Sequence, residues 1–152
     1  MSVLKNRIRV HFTLTGTDFE PEAVTAATSL KPAKIWHVGD FIGVSSRRYD
    51  YHGWRIDSGL AETTGMAEQL EALLARLEPA RRSLEPFIGT AYAEIGCVIY
   101  AYECVPEMHF SRDALQRVAE IGAEIDIDLY CLVEDGDEDA SESAHEGSKS
   151  DR

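Results

Sequence analysis

The chain predicts an α+β domain in which helices pack on one face of a mainly antiparallel sheet. Three observations predict it. Polar–apolar alternation recurs at residues 7–15 and 124–132, an apolar stripe of helical period lies between residues 63 and 78, and strand and helix signals interleave along the chain.

The first strand, residues 7–15, sets Ile8, Val10, Phe12 and Leu14 against Arg9, His11, Thr13 and Thr15, so one side is buried. Gly16-Thr17-Asp18 turns the chain into a helix with Pro21 in its first turn, and Lys31-Pro32 ends that helix because the residue before proline disfavours αR. Residues 41–44 and 51–57 are expected to form two strands joined through the polar turn 45–50, with Trp54 and Ile56 on the buried side. A helix over 63–78 places Met66, Leu70, Leu73, Leu74 and Leu77 on one stripe, and Pro79 ends or kinks it. Leu84, Phe87 and Ile88 suggest a short further helix. Residues 91–103 alternate with both faces fairly apolar, which suits a central strand. Ser111 caps a helix over 112–121, Gly122 closes it, and 124–132 is the last strand. Phe19–Val24 and Phe110–Leu115 repeat one helix-start pattern, with Glu20 the poorer cap of the two. The order β-α-β-β-α-β matches the ferredoxin-like split-βαβ arrangement, with an extra helix and strand extending one edge.

The net charge of −12 is shared between two parts. Residues 134–152 hold eight acids against Lys149 and Arg152, and the expected domain, residues 1–133, holds 19 acids against 13 bases. The terminal segment has no aliphatic side chain beyond alanine and is expected to be a disordered acidic tail. An acidic body disfavours nucleic acid and anionic membranes, whose phosphates need a positive field. No apolar run reaches the length of a membrane span, and the first residues lack the apolar stretch of a signal peptide, so a cytoplasmic location is expected. Cys97, Cys104 and Cys131 are odd in number and form no CxxC; buried free thiols are expected rather than a disulfide or zinc site.

Several blocks of residues carry a family resemblance. Phe19-Glu-Pro-Glu-Ala-Val24, Leu30-Lys-Pro-Ala-Lys-Ile-Trp36, His37-Val-Gly-Asp40 and Gly53-Trp-Arg-Ile-Asp-Ser58 resemble successive blocks of a bacterial family, the domain of unknown function 4279. Leu70–Pro79 and Ile121–Tyr130 are similar to its C-terminal half, so the resemblance covers roughly residues 6–132. It implies no established activity. Small bacterial domains of this kind imply an interaction or immunity-type role.

Side chains suited to binding concentrate between Trp36 and Trp54. Trp36, His37, Asp40, Arg47, Arg48, His52 and Trp54 combine stacking surfaces with cations and orienting donors, as a small cleft would. The bland reading puts both tryptophans between sheet and helix, a turn at Gly39-Asp40, and Arg47-Arg48 on a solvated hairpin tip. His37, Asp40 and His52 have no spacing that fixes a metal site, no GxSxG or phosphate-binding glycine loop occurs, and no catalytic residue, metal or cofactor is expected. Glu124, Asp126 and Asp128 share a face of the last strand, where charge discourages edge pairing. The first functional expectation is a non-enzymatic, antitoxin- or immunity-like module that binds a protein with a basic surface. The second is a small-ligand domain or enzyme with its pocket near residues 36–54, and the third is a homodimer paired through a sheet edge.

Overall fold

The computed structural model describes residues 4–132. The tail expected from residue 134 lies outside the described residues. The elements are β1 (Arg7–Gly16), α1 (Pro21–Thr28), β2 (Lys34–Trp36), β3 (His52–Asp57), α2 (Met66–Leu77), a 3₁₀ turn (Glu78–Ala80), α3 (Arg81–Ile88), β4 (Tyr92–Ala101), α4 (Arg112–Ile121) and β5 (Glu124–Cys131). The five strands form one sheet in the order β2-β3-β1-β4-β5. Three pairings are antiparallel, and β4 with β5 is parallel.

The alternation in the strands decides which face the helices cover. Val10 lies opposite Cys97, Phe12 opposite Ile56 and Ile95, and Leu14 opposite Trp54 and Ala93. Those side chains join Met66, Leu70, Leu73, Leu74 and Leu77 of α2, Leu84 of α3, and Ala114, Val118 and Ile121 of α4 in one core. Phe12 and Trp54 meet edge to face, with ring centroids 6.4 Å apart. Burial pushes the Cys97 thiol up to about 12. The opposite face of the sheet contributes nothing to this core.

Local chemistry sets the helix ends. The Ser111 hydroxyl accepts the Ala114 N–H at 3.1 Å, and Gly122 closes α4 at φ +87°. Glu20 makes no side-chain cap for α1, which instead has Pro21 in its first turn and ends at Ser29 in the left-handed region. Arg117 of α4 reaches Glu71, Glu78 and Asp113 together and ties α4 to α2 and the 3₁₀ turn; these hydrogen bonds raise its pKa further.

Three expectations need correction. The second strand is Lys34–Trp36; residues 41–44 are not a strand, and Phe41 makes only an isolated bridge with Arg48. A turn at Ser45 and Gly43 at φ +57° break the extended path there. The second helix begins at Met66 rather than 63, because Thr64 is bonded back to Ala61 in a turn. The Pro79 expectation is met: the α-helix ends at Leu77, and the 3₁₀ turn that holds the proline leads directly into α3. Finally, only Cys97 is a buried thiol, and Cys104 and Cys131 are exposed.

One polar side chain closes the fold. β3 pairs with β1 only from His11 onward, which leaves Ile8 and Val10 facing no strand on that side. Gln69, buried on the apolar stripe of α2, donates to the Ile8 carbonyl at 2.7 Å and accepts the Val10 N–H at 3.1 Å. The loop after β3 supplies the other partners, Glu62 O for the Ile8 N–H and Ser58 N–H for the Val10 carbonyl. Ser58 Oγ and the Thr64 carbonyl complete the amide's own bonds. Gln69→Met keeps the volume but orphans two buried backbone groups, and should cost on the order of 3 kcal/mol in urea unfolding; a loss below about 0.5 kcal/mol would contradict this account.

Candidate functional site

After Trp36 the chain leaves the sheet edge in a tight turn. Asp40 N–H donates to the His37 carbonyl, the His37 N–H donates to Asp40 Oδ2 at 2.8 Å, and Gly39 takes φ +91°. A narrow hairpin follows, held by Gly39 N–H to Tyr49 O, Tyr49 N–H to Asp40 O and Ile42 N–H to Arg47 O. Val44 at its tip and Phe41 on its arm are exposed. The Arg48 guanidinium lies 4.0 Å from the Phe41 ring centroid and donates to the Gly39 carbonyl at 2.8 Å. Arg47 is exposed on the same hairpin and makes no ion pair among the described residues.

The seven candidate residues do not form one cluster. Trp54 lies in the core under α1, where its Nε1 donates to Thr25 Oγ1 at 3.0 Å. Trp36 is also buried, but on the opposite face of the sheet. Its indole lies across Gly53, where an added Cβ would collide with the ring, and Tyr49 stacks on it at 5.1 Å. Tyr51 meets both rings, and Lys34 Nζ donates to the Tyr49 hydroxyl at 3.0 Å. His37 and His52 sit on the α1 side with ring centroids 5.7 Å apart. His37 Nε2 is 2.7 Å from Glu22 Oε1, and His52 Nδ1 accepts the Val38 N–H, which leaves the His52 proton on Nε2. Among the described residues no three His, Cys, Asp or Glu side chains converge in a way that would hold a metal.

The uncovered face of the sheet holds a second arrangement that the sequence reading passed over. His11 sits at its centre with the ring over Gly96, where a Cβ would strike the imidazole. Burial and the Arg55 guanidinium hold the imidazole below its ordinary value, while Asp57 and Asp128 oppose and Arg9 adds to that effect. Lys34, Arg55, Thr13, Glu94 and Glu124 line up in one row across all five strands. Cations therefore lie toward β2 and β3, and carboxylates toward β5. Burial raises the Glu94 pKa, and Asp126, Asp128 and Glu124 raise it further, against a hydrogen bond from Tyr92. Tyr92 donates to Glu124 Oε2 at 2.7 Å, and that bond pushes the phenol up to about 12. A cleft of about 360 Å³ at the other end of β1 is lined by Arg9, Arg55, Asp57, Ser58, Glu62 and Gln69. The signals were available in the sequence: a glycine inside β4, and a glutamine inside the otherwise apolar stripe of α2.

Two outcomes test this geometry. Gly53→Ala should expel the Trp36 indole, shifting tryptophan emission to the red and costing about 1–3 kcal/mol, while Trp54 stays in the core. For His11, the folded pKa is below the unfolded one. The stability it contributes is therefore present above pH 6.5 and is lost as pH falls through 6.5 toward the folded value. His11→Gln should flatten this part of the unfolding-midpoint profile between about pH 7.5 and 5.5 relative to the parent chain; parallel profiles would contradict it.

No curated protein and no solved structure matches the chain. A family model described as a domain of unknown function, DUF4279, matches residues 6–132, the same span as the blocks from Phe19 to Tyr130 and the strands that flank them. With five-sixths of its length inside that match, the chain belongs to the DUF4279 family.

Proposed function

We propose that this domain is a non-enzymatic protein-interaction module, of an antitoxin- or immunity-like kind, that meets a basic partner on the acidic end of its uncovered sheet face. The observation that carries the reading is the group Glu94, Glu124, Asp126 and Asp128. These carboxylates share one patch, and among the described residues none is in an ion pair, whereas Glu62, Glu71 and Glu78 all are. The crowding that adds to burial in raising the Glu94 pKa beside Asp126, Asp128 and Glu124 is relieved when a cationic surface docks, which speeds and orients association. A cytoplasmic setting belongs to the same proposal; among the described residues no helix is long and apolar enough to cross a membrane. We also read the core as ferredoxin-like: the spatial order β4-β1-β3-β2 supports it, with α4 and β5 added beside β4.

A second reading, a small ligand bound near residues 36–54, is favoured by one observation. The Trp36 Nε1 is buried with no acceptor, next to Tyr49, Tyr51 and Lys34. A carbonyl or carboxylate on a planar ligand would supply that acceptor. Homodimer pairing through β5 is opposed by charge, because Glu124, Asp126 and Asp128 would meet their own copies.

Affinity purification from the native host, with the patch reversed as Asp126→Lys/Asp128→Lys, tests the first reading. A bound protein whose association rate falls about tenfold with the reversal, and falls as salt rises, supports it. A partner that binds the reversed chain equally fast, at any salt concentration, contradicts it.

A further inference from the structure

We propose that the free edge of β5 receives an extended strand from the basic partner, which becomes the sixth strand of the sheet. This rests on the interaction reading above and names the surface and the kind of partner. β5 is eight residues long and, among the described residues, is paired on one side alone. The Leu132 N–H bonds back to the Ala101 carbonyl, so the even-numbered residues of β5 face β4. Ile125, Ile127, Leu129 and Cys131 therefore turn their N–H and C=O groups outward, a ready ladder for another strand.

The side chains say what kind of strand fits. On the helix side, Ile127 and Leu129 are 40% and 39% exposed, because α4 covers β5 no further than the partly buried Ile125. On the other side stand Glu124, Asp126 and Asp128, none of them in an ion pair among the described residues. An incoming strand with apolar residues at alternate positions and lysine or arginine between them would cover the first group and neutralise the second. A second copy of this chain would set acid against acid, and so would the chain's own acidic residues 134–152. The opposite edge of the sheet is poorly suited, since β2 is three residues long and runs directly into the 39–49 hairpin.

The probe is a capped peptide of about eight alternating lysine and valine residues, added to the full chain and followed by amide hydrogen exchange and by affinity at low and high salt. The expected result is new protection at Ile125, Ile127, Leu129 and Cys131, with no change at Lys34–Trp36. Leu129→Pro removes one outward N–H without taking a bond from the β4 ladder, and should weaken the peptide about tenfold. The exchange pattern on the unaltered chain decides the matter even where that variant does not fold. Salt-sensitive binding without protection at β5 overturns the edge proposal and leaves the interaction reading standing; no binding at all overturns both. Protection at β5 that is present without peptide and grows with protein concentration would assign the edge to a second copy, and concentration-independent protection lost on deleting residues 134–152 would assign it to that segment.

Discussion

The position of β1 at the centre of the sheet is the constraint that the rest of the molecule answers. A central strand must satisfy backbone groups on both sides along its whole length, and β3 is too short to do so for β1. The answer is a composite edge made from the loop after β3 and the Gln69 amide, which together satisfy all four outward groups of Ile8 and Val10. Gln69 does this from within the apolar stripe of α2, so a single side chain sets both how α2 docks and where the loop 58–64 lies. The cleft beside Arg9 and Arg55 is a by-product of the same closure.

Because the helices among the described residues all pack on one face, the other face can carry charge. The antiparallel register places Lys34 and Arg55 at one end of a row and Glu94 and Glu124 at the other, with His11 near the middle of the next row. Glycines make this face passable: Gly53 lies beneath the Trp36 ring and Gly96 beneath the His11 ring. Each is a place where the backbone must come close to a ring, and a side chain would prevent it.

Elements governed by local chemistry were legible in the residues. Ser111 and Gly122 bound α4 as their types suggest, and the alternation of Ile8 to Leu14 identifies the buried face of β1. β2 was not legible, because three residues are too few for a period, and the longer apolar run at 41–44 drew the strand assignment to itself. That misplacement carried Trp36 with it: one strand position decides whether an indole enters the core or lies on the open face. The carboxylates of β5 were legible as a group. Their meeting with Glu94, and the siting of His11 over Gly96, depend on pairings between residues far apart in sequence, which no local pattern encodes.

The manner in which α4 and β5 are attached has a consequence for the order of unfolding. α4 contributes only Ala114, Val118 and Ile121 to the core, and much of its remaining anchorage is the charge cluster around Arg117. β5 itself buries almost nothing. Ion pairs weaken as salt rises while apolar packing does not, so this C-terminal pair should loosen before the four-strand body does. The strand offered to a partner is then also the part of the fold that opens at least cost. Occupying its edge would order α4 and β5 as well as hold the partner.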